Sequence, residues 1–287
     1  MFATLWRRLP VIVRAVVVGL VVLTAGQIMT GPLIFANLKY WPSVPWSVPL
    51  LAAYMWFFWQ YLQGRWWPRS TSETRRRDLR ARSLSRRVWF WAMTAGVLTT
   101  ACNFALQWVV GRLAPLCYDV PVVLKQFPFL TLLSVLIMLS IVAGIVEEAA
   151  CRGYMQSPIE RRHGIVVAIV VVSIVFGALH LADGQPRMTA ARMFFIVLAA
   201  VLYGLMVFLT DSILPGIVLH AAGDAVGIVW IWWLTEHPAP RPVQRGFAAA
   251  VHDPQFWTYC AEALVFGVAA VWAFRRLAHV ARSEREL

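Results

Sequence analysis

The sequence predicts an all-α protein, a polytopic bundle of about eight transmembrane helices with both termini cytoplasmic. Three observations carry this. Hydrophobic residues make up 60% of the 287-residue chain and charged residues 14%, against about 25% charged in an average soluble domain. A soluble core of this length would leave large apolar patches exposed. Apolar runs near twenty residues recur along the chain, the length a helix needs to cross a bilayer. Finally, several of the fifteen tryptophans sit at run ends, among them Trp41, Trp46, Trp66, Trp67, Trp89, Trp232, Trp233 and Trp257, where an amphipathic ring prefers the headgroup zone.

Taken in order, the first run is Pro10–Met29. It is longer than a signal peptide's apolar region and no small-residue cleavage site follows, so it reads as a retained helix. The second is Val44–Leu62. Between it and the third, Val88–Val110, lies a loop with nine arginines from Arg65 to Arg87. That loop reads as a cytoplasmic anchor, partly helical, lying on the membrane surface and touching anionic lipid. Phe127–Ala150, Gly164–Ala182, Thr189–Leu209, Ile213–Leu234 and Gln255–Phe274 complete the set, with Pro158 and Gly164 marking one cytoplasmic turn and Asp211-Ser212 another. The proline-rich stretch His237–Pro254 reads as an external loop. With Arg7 and Arg8 inside, the cytoplasmic face collects nineteen Lys/Arg and the outer face seven; the reverse orientation would invert the positive-inside bias.

The chain thus divides into an N-terminal transmembrane region (1–126, with the basic loop 65–87), a core (127–235), and a final part with the external loop, last helix and cytoplasmic tail (236–287). The net charge of +12 does not imply nucleic acid, because it is concentrated in one loop and no DNA- or RNA-reading motif accompanies it. The expected partners are membrane lipids and a protein or peptide substrate, and the expected location is a plasma membrane, the inner membrane if the source is bacterial. Cys102, Cys117, Cys151 and Cys260 show no metal-ligand spacing and no disulfide framework.

Ionisable groups inside apolar runs need a reason, since each costs at least about 2.5–3.5 kcal/mol at the bilayer centre. Glu147, Glu148 and Arg152 continue the fourth run, His180 ends the fifth, and His220 and Asp224 lie in the seventh. Glu148 and Arg152 are four apart and share a helix face, as do His220 and Asp224. Glu147 is rotated by about 100° from Glu148, so the two carboxylates do not share one radius. Counted from the adjoining turns at about 1.5 Å per residue, Glu147, Asp224 and His220 fall into one mid-membrane slab, with His180 somewhat higher. Paired glutamates at a helix end are commonly interfacial and a lone buried histidine is commonly just packed; the convergence of three helices favours a site. Cys151 as a nucleophile is disfavoured, because apolar burial leaves a thiol unreactive.

These residues fall in three motifs: Glu147-Glu148-Ala-Ala-Cys-Arg152, Phe176-Gly-Ala-Leu-His180 and His220-Ala-Ala-Gly-Asp224. In order and on successive helices, they resemble the signature (EExxxR, FxxxH, HxxxN or HxxxD) of the CPBP family of intramembrane proteases, also called Abi, which includes the type II CAAX prenyl endopeptidases. The likeness covers roughly residues 127–235. It implies peptide-bond hydrolysis within the membrane, approached from the cytoplasm. Glu147 and His180 would hold and deprotonate the attacking water, His220 and Asp224 would stabilise the oxyanion, and Arg152 would orient the glutamate pair.

The chemistry is coherent unaided, since amide hydrolysis needs a general base and preorganised donors at the developing oxyanion. Asp224 departs from the Asn of the CAAX endopeptidases; an ionised Asp only accepts hydrogen bonds, so doing an Asn's work requires it to be protonated. Two histidines and a carboxylate can also form a catalytic zinc set, here Glu147, His180, His220 and Asp224. A mechanism without cofactor is the expectation, zinc the alternative. An ion-coupled transporter or a non-catalytic immunity or scaffold protein are the competing readings; the first is weakened by the absence of a visible inverted repeat.

Overall fold

The computed structural model describes residues 6, 8–113, 126–182, 190–236 and 246–286. Cys117 and residues 237–245 of the expected external loop lie outside them. The described residues form helices: α1 (Val11–Gln27), α2 (Thr30–Tyr40), α3 (Ser47–Leu62), α4 (Ser72–Leu79), α5 (Arg86–Leu113), α6 (Phe129–Glu147), a π-helix (Glu148–Gln156), α7 (Ser157–His163), α8 (Ile165–Ala182), α9 (Ala190–Thr210), α10 (Leu214–Glu236), α11 (Gly246–Ala250) and α12 (Pro254–Ser283). A helix overlies each of the eight predicted runs. Among the described residues five helical stretches are long and apolar enough to span a bilayer: Val11–Tyr40, Arg86–Leu113, Phe129–His163, Ala190–Thr210 and Pro254–Ser283. The protein is an integral membrane protein, all-helical as predicted.

Three boundaries differ clearly from the sequence reading, the simplest being the last run, which continues past Phe274 to Ser283. The first run continues past Met29 to Tyr40, with a break near Ile28. The fourth continues past Ala150 to His163, so Pro158 does not mark a turn. It occupies the start of α7, inside one continuous helical stretch that runs from Phe129 to His163. The turn falls at Gly164, whose φ of 82° suits glycine.

The chain forms two compact units. The first comprises Met1–Ser83, Pro121–Val172 and Asp211–Trp230. Within it α1 packs against the π-helix. Buried Asn37 joins α2 to α3: its Nδ2 donates to Trp41 O (2.8 Å) and Val44 O (2.9 Å), and its Oδ1 accepts from Ser47 N (3.0 Å) and Ser47 Oγ (2.8 Å). All four hydrogen-bonding positions of the amide are used, which removes the cost of burying it.

The expected partial helicity of the arginine loop is realised as α4, and the segment after α4 is tied down by charge. Arg80, at φ 55°, donates from both terminal nitrogens to Glu160 at 2.8 Å and from Nε to Asp211 at 2.8 Å. Burial works against the guanidinium's charge, but the two carboxylates win and hold its pKa above the ordinary value. Arg82 pairs with Asp211 at 2.5 Å. Ile213 N donates to Arg80 O at 3.1 Å and Ser212 Oγ to Arg82 O at 2.7 Å. The start of α10 is thereby fastened to the loop and to α7.

The second unit comprises Leu84–Val120, Ser173–Thr210 and Ile231–Leu287. In it α5 and α12 run antiparallel: Ser85 meets Glu284 at 2.7 Å at one end, and Arg112 pairs with Asp253 and donates to Gln255 at 2.6 Å at the other. Between these, Trp91 packs edge-on to Trp272 (5.1 Å) and Trp108 stacks on Tyr259 (5.4 Å). Arg285 donates to Leu209 O at 2.7 Å, satisfying a carbonyl at the end of α9.

Candidate active site

The first unit brings five of the six predicted site residues together. Glu147 is the last residue of α6, Glu148 and Arg152 lie on the π-helix, and His220 and Asp224 lie on α10. His220 is the hub. Its Nδ1 stands 3.0 Å from Glu148 Oε1, and its Nε2 stands 3.7 Å from both Glu147 Oε2 and Asp224 Oδ2. Arg152 Nη1 lies 3.2 Å from the same Glu148 Oε1. Arg152 and His220 thus converge on one oxygen of Glu148, and the ring's Nδ1 edge is held there by hydrogen bonding.

The about 100° between Glu147 and Glu148 does not keep them from one partner. An imidazole has nitrogens on two edges, and the ring of His220 faces Glu148 with one and Glu147 with the other. The two carboxylates differ in surroundings. Glu148 and Arg152 are fully buried (0% exposed), whereas Glu147 is 17% exposed and Asp224 42%. Glu148 therefore acts from behind the ring, and Glu147 and Asp224 are the groups a substrate or water can reach.

Backbone geometry makes this possible. The i→i+5 pattern of a π-helix widens the turn and commonly marks functional sites. Here all nine of its residues are buried. Helix α10 reaches Glu148 because residue 216 is glycine: a Cβ there would stand 2.8 Å from Glu148 Oε2. One turn up the same helix, His220 then meets Oε1. Gly144 permits the same closeness on α6, where a Cβ would stand 2.9 Å from Ile217 O.

His180, the sixth predicted residue, belongs to the second unit. There its Nδ1–H donates to Phe176 O at 2.9 Å, and the two rings pack at 4.6 Å between centroids, the i, i+4 pairing its motif implies. Cys151 is buried. Two contributors were not singled out from the sequence. Gln27, at the end of α1, places Nε2 3.5 Å from Glu147 Oε1; its signal was an amide near the end of an apolar run. Gly216 is the other, and nothing in its immediate sequence separates it from a helix-weakening glycine.

The motif residues of this geometry lie within one stretch of chain. Residues 129–226 match the type II CAAX prenyl endopeptidase Rce1-like family. The resemblance to the CPBP family is thereby shown over that stretch, and the Rce1-like segment contains all three motifs. No curated protein and no solved structure matches the chain.

Among the described residues no three His, Cys, Asp or Glu side chains are grouped as a metal site requires. Around His220 the Nδ1 edge is committed to Glu148, itself committed to Arg152.

Proposed function

We propose that the protein is an intramembrane endopeptidase that hydrolyses a peptide bond near the C-terminus or membrane anchor of a protein or peptide substrate. The observation that carries this is His220, fixed from behind by the buried Glu148–Arg152 pair and presenting its other edge between two accessible carboxyl groups. The Rce1-like match over residues 129–226 supports the same reading.

In this mechanism Glu147 takes a proton from a water molecule as the oxygen attacks the scissile carbonyl. Nε2–H of His220 and a protonated Asp224 donate to the resulting oxyanion, so both ring nitrogens of His220 carry protons at that stage. The C–N bond breaks as Glu147 passes its proton to the departing amine. Glu148 sets the orientation of the ring, and Arg152 balances its charge. The family resemblance adds His180 to the holding of the water. The chain crosses the membrane eight times with both termini cytoplasmic, in a plasma membrane, the inner one for a bacterial source.

The test is the full chain in proteoliposomes, assayed for cleavage of membrane-anchored peptides and for ion flux. Cleavage that is lost in Glu147→Gln is the expected result. Ion flux without cleavage would replace the enzyme by a transporter.

A further inference from the structure

A second site lies in the arginine loop. A cavity of about 1020 Å³ opens between the end of α3 and the residues around α4, lined among others by Arg65, Arg69, Arg76, Arg77 and Arg82, with Glu73 the single acidic group on its wall. Arg77 and Arg82 are partly neutralised by Asp78 (3.3 Å) and Asp211 (2.5 Å), and Arg65 donates to the uncharged Gln60 at 2.9 Å. Arg69 and Arg76 have no ion-pair partner among the described residues. The wall of this cavity carries an excess of positive charge that an anion inside would offset.

The chemistry selects the anion. Guanidinium groups present flat pairs of donors that match the oxygens of phosphate. The volume sits at the upper end of the range for organic ligands, about 300–1,000 Å³, and far exceeds a lone phosphate. The position selects the source. The cavity begins at Gln63, one residue after apolar α3 ends, and three and four residues further on stand Trp66 and Trp67, the latter 81% exposed, the kind of rings that settle at headgroup level. We infer that this cavity is a binding site for the phosphate headgroup of an anionic phospholipid. The inference rests on the membrane location alone and is independent of proteolysis.

The experiment is native mass spectrometry of the detergent-solubilised full chain titrated with phosphatidylglycerol, against phosphatidylcholine. Arg69→Gln/Arg76→Gln should weaken phosphatidylglycerol binding at least about tenfold, since each arginine near an anionic headgroup contributes substantially. Arg86→Gln/Arg87→Gln removes equal charge from the same loop without touching the cavity wall and should leave binding close to wild type. Arg69→Lys/Arg76→Lys, keeping charge but not the planar fork, should fall between; its recovery of binding also rules out misfolding as the cause of the loss. Equal loss in the two Gln pairs would overturn the site in favour of diffuse charge. Competition by inorganic phosphate as strong as that by lipid, or tighter binding of a polyglutamate peptide, would overturn the lipid assignment.

Discussion

Gly216→Ala tests the construction of the catalytic cluster most directly. The added methyl would stand 2.8 Å from Glu148 Oε2, against 3.4 Å at the start of ordinary contact, a shortfall of about 0.6 Å. Glu148 cannot move freely, because Oε1 is engaged by Arg152 at 3.2 Å and by His220 at 3.0 Å. If the carboxylate yields, the His220 contact lengthens to about 3.6 Å and ceases to be a hydrogen bond. If α10 yields, His220 and Asp224 leave their places instead. Overpacking of this kind costs about 1–3 kcal/mol, and a misplacement of about 1 Å costs up to about 10²-fold in rate, so a loss of turnover of about tenfold or more is expected. The control is Gly227→Ala on the same helix, where a Cβ meets nothing within 4 Å and helix propensity improves by about 1 kcal/mol. Thermal unfolding in detergent and turnover of a peptide cleaved in proteoliposomes are measured for both. Gly216→Ala matching Gly227→Ala in both would refute the close approach of α10 to Glu148 as the basis of the site.

Glu147→Gln should abolish cleavage while the protein stays inserted and folded, and Cys151→Ser should keep most activity; the reverse pattern means the nucleophile is not a water. Arg152→Met strands the buried Glu148 carboxylate and should lower unfolding free energy by about 3–5 kcal/mol, with Arg152→Met/Glu148→Gln regaining a substantial part; a double variant no more stable than the single would show that the pair is not coupled. Asp224→Asn should retain substantial turnover and extend it to higher pH, because an amide donor does not titrate; an inactive Asn variant restored by added zinc would sink the neutral-acid role. Reporter fusions after Arg80 and after Arg241 should report opposite sides of the membrane, and like-sided signals would overturn the eight-span topology.

What the sequence makes legible is what local chemistry writes into it. The apolar runs are visible because a bilayer requires unbroken hydrophobicity, and each coincides with a helix. Glu148–Arg152 and His220–Asp224 are visible as i, i+4 pairs and both come together in space. What stays hidden is set by tertiary approach. Arg80 is one of nine arginines in its loop, and its partners Glu160 and Asp211 lie 80 and 131 residues away, so no spacing singles it out. Gly216 acquires its role only from the carboxylate opposite. Pro158 reads as a turn because proline usually interrupts a helix, yet the helical stretch runs through it to His163.

That π-helix bears on how related chains are to be aligned. Its turns take in more residues than α turns, so along 148–156 the sequence is longer than an α-helix of the same reach would be. Loss of one residue among Gly153, Tyr154 and Met155 can be absorbed by rewinding the segment as α-helix, leaving Glu148 and Arg152 four apart. The same deletion within α6 would swing every later side chain by about 100°. Length differences between homologues are accordingly expected after the arginine of the motif and not inside EExxxR, where the i, i+4 pairing of Glu148 with Arg152 fixes the gap.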